Sequence, residues 1–539
     1  MAASTGRDDI DLWLEAVGPL GRYSLTQFFI LMSVFWPVAI NMFSVVFQAQ
    51  HNHFRCRSPT ENFTVPSDLS NTSDLYPSNC HVTYIPRYIN GHQTNTSVTE
   101  SCDVDKIGYH YDKSMSFISE FDLVCDREYL VGLSQTLLTL GNLIGAFVFP
   151  FFSDRFGRKP VLIVSCVLGL GSSIGLAASN SYEMLVAMKF LLGFLYQGAE
   201  SAGVGALAEI LVTRHRAAFF GFGGAFNWAL ASVVLAPIAY ILRDYSWRSL
   251  QIAVSCFSIN IILLIFVFDE TLRWLSVNGH HSKFKEILLK ACRWNKIDFQ
   301  KVSDEYEAAS KGEEKLHAIE SQSQETSSVS ALHDEKLNFF HLFTDPMLRK
   351  HTIFCILSWF FNSLIYFALT LMSNTLHGSL YINYTLSILI EIPASLYCFF
   401  FLDKVGRRKS FAILSVIGGG SLIFMGVVWH VNPENSGLIL GLTCLGKFAV
   451  TGSYTVLYLY APELFPTNLR SMGMGMGFIS SRLGGMLAPF AELLMNQVIY
   501  APGILFGISS LVLSVTPYFL PETTGRQLPQ TLHEMKQWR

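Results

Sequence analysis

Among the ionisable side chains inside long apolar stretches, four are best placed to do chemistry: Glu200, Glu391, Lys447 and Arg482. A charged group at the centre of a hydrocarbon layer costs about 3 kcal/mol or more. Two acids and two bases held there can pair, bind an ion or take up a proton. Around them stand Tyr196, Gln197, Asn227, Trp228, Trp359, Asn362, Tyr366 and Tyr454, whose rings and amides suit a small organic ion. An arginine offers a carboxylate a fork of donors, and an aromatic face holds a quaternary ammonium at about 0.5 to 2 kcal/mol per contact. Bond-making chemistry has no comparable basis, since no Walker loop, zinc triad or nucleophile elbow is present. The run Gly169-Leu170-Gly171-Ser172-Ser173-Ile174-Gly175 follows no strand and lies in an apolar stretch, where small residues serve close helix approach.

These groups need a membrane frame. Half of the 539 residues are apolar and 15% are charged, and the apolar ones gather into runs able to cross a core of about 30 Å. Twelve such segments are read at 24–47, 130–152, 160–179, 182–210, 217–241, 249–269, 351–372, 379–402, 409–430, 437–461, 471–495 and 502–521. The lipid bilayer is therefore an expected partner, and nothing indicates nucleic acid or a bound metal. The first 23 residues carry Asp8, Asp9, Asp11 and Glu15 and no cleavage site, so the first segment is expected to act as an uncleaved targeting signal.

The chain repeats itself. Asp154-Arg155-Phe156-Gly157-Arg158-Lys159 recurs as Asp403-Lys404-Val405-Gly406-Arg407-Arg408; Glu209 with Arg214 and Arg216 recurs as Glu463 with Arg470; Asp269-Glu270-Thr271 recurs as Pro521-Glu522-Thr523. Six-helix halves at 24–270 and 351–521 follow, flanked by an N-terminus at 1–23, a linker at 271–350 and a C-terminus at 522–539. Phe284, Ile287, Leu288 and Ala291 give the linker a helical apolar face, whereas Lys311 to Glu335 reads as flexible. Duplicated halves suggest alternating access, hence movement of a solute.

Two features orient the chain. The polar stretch at 48–129 holds sequons at Asn62, Asn71 and Asn95 and four cysteines, Cys56, Cys80, Cys102 and Cys125, which places it outside with two disulfides of open pairing. The short basic turns after segments two, four and eight are then cytoplasmic, with both termini. A further sequon at Asn383 lies too close to the membrane to be used.

At this point the chain resembles the major facilitators, an all-α fold of twelve transmembrane helices, and within them the organic-ion branch of organic cation, carnitine-type zwitterion and organic anion transporters (solute carrier family 22). The resemblance rests on the glycosylated cysteine-bearing loop, Asp154 to Lys159, Trp274-Leu275, and Pro462-Glu463-Leu464-Phe465-Pro466-Thr467 leading to Arg470. Asp269 departs from it, because the family usually has proline there. The resemblance implies a plasma-membrane carrier and a cytoplasmic gate that steadies an outward-open state. Its members are Asp154, Arg155, Arg158, Lys159, Glu209, Arg214, Arg216, Asp403, Arg407, Arg408, Glu463 and Arg470. Asp154 is expected where the next helix begins, at the positive end of its dipole.

By the same resemblance, Arg482 occupies a position that is acidic in the cation branch and arginine in the anion and zwitterion branches. Glu391 matches the cation and zwitterion branches, and Ser395 stands where the anion branch tends to be basic. Small organic zwitterions or cations, carnitine-, betaine- or amine-like, are the expected substrates, with a solute of both charges favoured: Arg482 for a carboxylate, Glu391 or Glu200 with Tyr366 and the other aromatics for an amine. The competing structural account pairs Glu391 with Arg482 in the core. Lys447 follows the family's Gly446-Lys447-Phe448 and reads equally as bundle support. An organic anion exchanger and a non-transporting receptor are the rival functions. No cofactor is expected, and Na⁺ or H⁺ coupling stays open.

Overall fold

A computed structural model describes residues 13–18, 20–50, short pieces between 54 and 111, 115–212, 224–300, 302, 339–376, 378–526, 529 and 532–536. Twelve helices form the bundle: α1 (Arg22–Phe43, continued by Val45–Gln48), α2 (Tyr129–Phe156), α3 (Arg158–Ala177), α4 (Tyr182–Ile210), α5 (Gly224–Ile241) and α6 (Trp247–Ser255, continued through a 3₁₀ stretch to Ile261–Phe266) in the first half. The second half holds α7 (Pro346–Leu371), α8 (Leu380–Leu389 and Glu391–Val405), α9 (Arg407–Val431), α10 (Ser436–Glu463), α11 (Thr467–Leu487) and α12 (Ala501–Val515). The halves meet along α2 with α11 and α5 with α8.

Nine helices among the described residues are long and apolar enough to cross a membrane. The others are α4, α5 and α11. Helix α5 is described only from Gly224, whereas α4 carries Glu183, Lys189, Glu200 and Glu209, and α11 is rich in glycine and serine with Arg470 and Arg482. The two helices that fall short on composition are those that bring Glu200 and Arg482 to the centre.

The repeated turns have one construction. Gly157 and Gly406 adopt φ +103° and +96°, a region that L side chains rarely enter. An added Cβ would also stand 2.5 Å from Glu270 Oε2 or 2.7 Å from Glu522 Oε2. The glycine lets each carboxylate reach the exposed N–H groups that open the next helix. Glu270 accepts from the N–H of Arg158 at 3.0 Å and of Lys159 at 3.1 Å, and Glu522 from Arg407 at 2.9 Å and Arg408 at 3.2 Å. Burial lifts the Glu270 carboxyl above the ordinary carboxylate range, against the pull of those N–H groups.

Asp154 therefore does not sit at the start of α3; it ends α2, with its side chain 74% exposed and 2.9 Å from Arg158. Arg158 also meets Glu209 at 2.6 Å, and Thr271 donates to Glu209. In the second half Asp403 lies 2.6 Å from Arg407, Arg407 lies 3.4 Å from Glu463, and Thr523 donates to Glu463. Among the described residues these two clusters each close within their own half. Arg470 holds the end of α10 through the carbonyls of Pro462, at 2.9 Å, and Phe465. Arg408 donates to the Leu520 carbonyl, and Arg155 lies over the Phe156 ring. Arg214 and Arg216 lie outside the described residues.

Asp269, the departure from the family pattern, ties three segments together. It accepts from the Tyr23 hydroxyl of α1 at 3.1 Å and pairs with Lys290 at 2.7 Å. Lys290 belongs to a linker helix, His281–Asn295, that buries Leu288, Ala291 and Cys292. Asn295 of that helix bonds the Tyr23 N–H and the Val17 carbonyl at 3.0 and 2.7 Å.

The long loop carries short antiparallel strands that the sequence did not suggest: β1 (Phe54–Cys56) with β7 (Tyr109–Tyr111), β3 (His81–Tyr84) between β2 (Tyr76–Pro77) and β6 (Val98–Ser101), and β4 (Tyr88–Ile89) with β5 (His92–Gln93). Cys80 and Cys125 form a disulfide; Cys102 and the sequons at Asn62, Asn71 and Asn95 lie outside the described residues, as does the side chain of Cys56. Asn383 is buried and donates to the Leu376 carbonyl at 3.1 Å, a poor glycan acceptor.

The capping device predicts a graded response in the purified protein. Glu522→Ala is expected to lower stability by about 1 to 2 kcal/mol, read as a lower thermal midpoint. Gly406→Ala should lower it further, while Gly420→Ala, whose Cβ meets nothing within 4 Å, should leave it unchanged or higher.

Candidate functional site

The halves are closed on the face that bears the long loop. Asn374 donates to the Ala49 carbonyl at 3.3 Å, Thr136 to Met486 at 2.8 Å and Tyr384 to Ser232 at 3.2 Å. Tyr381 stacks on Phe47 with ring centres 5.5 Å apart and meets the edge of Tyr240 at 5.2 Å. Behind this closure lies a narrow cleft lined from both halves, with Asn41, Asn142, Tyr196, Glu200, Trp228, Phe367 and Arg482 among its walls.

Across that cleft Glu200 of α4 faces Arg482 of α11 at 3.5 Å, each about one quarter exposed. The contact is long for a charge-assisted hydrogen bond, and it joins one half to the other. Tyr454 stands behind Arg482, its hydroxyl 2.7 Å from Ser481 and its ring 6.0 Å from Tyr366.

Glu391 and Arg482 do not pair, contrary to the structural account raised from the sequence. Glu391 is instead 3.3 Å from Lys447, and both are fully buried. Helix α8 breaks at Ile390 because Pro393 has no N–H for the Leu389 carbonyl. Glu391 thereby falls in the first turn of a new helical segment, where a carboxylate is favoured. Lys447 is also held by the Tyr366 carbonyl at 3.0 Å and by Thr370 Oγ1, and its ammonium lies 3.4 Å from the centre of the Tyr366 ring. Trp228 donates to the Tyr366 hydroxyl at 3.2 Å from the other half.

Five expected residues serve packing. Gln197 packs against Gly145 of α2 and donates to Ser201 at 3.3 Å. Asn362 links α7 to α10, accepting from Ser453 at 2.6 Å and donating to the Ser358 carbonyl at 2.8 Å. Tyr196 touches the cleft, yet its ring fits against Gly169 and its hydroxyl is 3.0 Å from Ser258. Trp359 is buried against Tyr454, Tyr458 and Phe478, and Asn227 is held between Trp36 and the Met32 carbonyl. Sequence reasoning missed Asn41, Asn142, Phe367 and Thr370. The two amides, set in apolar helices, carried a usable signal; Phe367 and Thr370 did not.

A family model described as "Sugar (and other) transporter" matches residues 83–534. The chain belongs to that family. Within it, the chain is 29% identical to the organic cation transporter protein of Drosophila melanogaster, over 98% of this chain and 94% of that protein. It is 30% identical to the organic cation transporter-like protein of the same organism, over 96% and 90%, and 29% identical to human organic cation/carnitine transporter 2, over 98% and 93%. The organic-ion branch of the major facilitators is thus its place. The fold agrees: the Escherichia coli xylose transporter XylE, in a partially occluded inward open conformation, superposes with TM-score 0.60 at 14% identity, over 94% of this chain and 100% of that one. A second, inward open structure of XylE gives 0.58 over 76% and 89%.

In this transporter the buried pair should behave as a unit. Lys447→Met strands a buried carboxylate and is expected to lower stability by about 3 to 5 kcal/mol. Adding Glu391→Gln should recover most of that loss, measured as thermal midpoints of the purified variants.

Proposed function

We propose that this chain is a plasma-membrane carrier of small organic zwitterions, of the carnitine or betaine kind, working by alternating access. The observation that carries the reading is the Glu200–Arg482 contact, one acid and one base offered from opposite halves across an aromatic-walled cleft. A dipolar solute replaces that contact with two: its carboxylate on Arg482, its ammonium on Glu200 beside Trp228. It thus exchanges a direct link between halves for one through itself.

The long-loop face is outside in this reading, so closure there makes the conformation inward-facing. Asp154 and Asp403, with side chains 74% and 81% exposed, then face the cytoplasm. The relatives' names support organic ions as a class. An anion exchanger is favoured less, because both central cations, Arg482 and Lys447, already face a carboxylate.

Uptake into liposomes separates the readings. Wild type is expected to accumulate a labelled zwitterion, and Arg482→Ala to reduce that uptake at least tenfold. Uptake of a dicarboxylate alone would favour the exchanger, and ligand binding without any flux would favour the receptor.

A further inference from the structure

Behind the cleft lies a second cation site, and the chain fills it with its own side chain. Lys447 Nζ is 3.4 Å from the Tyr366 ring centre, 3.3 Å from Glu391 Oε1 and 3.0 Å from the Tyr366 carbonyl, with Thr370 Oγ1 also accepting. An aromatic face, a carboxylate and neutral acceptors are the parts by which proteins hold an organic ammonium. Glu391 Oε1 is buried without a hydrogen-bond partner, and the Lys447 ammonium 3.3 Å away answers its charge. The pocket is one side chain deep from the cleft: Trp228 lines the cleft and donates to the Tyr366 hydroxyl at 3.2 Å.

We propose that Lys447 is a tethered ammonium ligand of the pocket formed by Tyr366, Thr370 and Glu391, and that its occupancy excludes simple organic cations from the transporter. The inference rests on the zwitterion reading and deepens it. A tethered group competes at an effective concentration of about millimolar or more, which a free monovalent amine must overcome. With Glu391 answered by Lys447 and Glu200 by Arg482, the centre holds no spare negative charge for a solute that brings only a positive one. A dipolar solute escapes this exclusion because its carboxylate takes over Arg482 and frees Glu200 for its ammonium. Lys447 is in this sense a specificity residue that keeps the wrong solute out.

The test is chemical complementation. Lys447→Ala removes three methylenes and an ammonium, which n-propylammonium reproduces. The purified variant is expected to bind n-propylammonium at least tenfold more tightly than wild type, and Lys447→Ala/Glu391→Gln to lose that gain. If Lys447→Ala is unfolded alone, n-propylammonium but not 1-propanol should restore monodisperse protein. Equal binding by wild type and Lys447→Ala, a gain that survives Glu391→Gln, or restoration by neither compound or by both overturns the proposal. Binding is read without flux, so absence of zwitterion uptake by wild type would sink the transport reading and leave this result standing.

Discussion

A charge inside a hydrocarbon layer must find a partner, and that requirement organises the centre of this transporter. Glu391 and Lys447 answer one another within the second half, completely buried, while Glu200 and Arg482 answer one another across the halves, loosely and partly exposed. The difference in burial divides their roles. The enclosed pair is a fixture that fills a pocket. The partly solvated pair is the contact that we propose a solute replaces.

The ends of the helices obey the same rule with other means. Each repeated turn puts a glycine where a side chain would collide with a carboxylate, and the carboxylate then satisfies the N–H groups that open the next helix. Arginine and threonine around Glu209 and Glu463 complete the arrangement inside each half. Each half thereby satisfies these charges with its own residues. Asp269 adds a tie the second half lacks, since Pro521 stands at its counterpart: it fastens the linker helix to the foot of α1.

Much of this was legible in the residue order. The duplication, the membrane-crossing segments and the four central charges follow from spacing and from the cost of charge in lipid. What spacing could not give was partnership. Arg482 lies on α11 and Glu391 on α8, and nothing in the sequence says that Glu391 turns toward α10 rather than α11; the break at Pro393 decides it. The same limit explains Asp154, placed one helix too late because its glycine neighbour brings in Glu270 from more than a hundred residues away. Asn362 and Gln197 looked like site residues because they are polar in apolar helices, yet each spends its polarity on a neighbouring helix.

Two pairs leave the centre neutral, and on our proposal that neutrality favours a dipolar solute. Binding of three matched solutes to the reconstituted wild-type protein distinguishes the charge types: (trimethylammonio)acetate as the zwitterion, its methyl ester as the cation, and 3,3-dimethylbutanoate as the anion. The account predicts at least tenfold preference for the zwitterion over both singly charged forms. Equal or tighter binding of the ester would contradict it, and would mean that Glu200 or Glu391 is open to a cation while its internal partner stands aside.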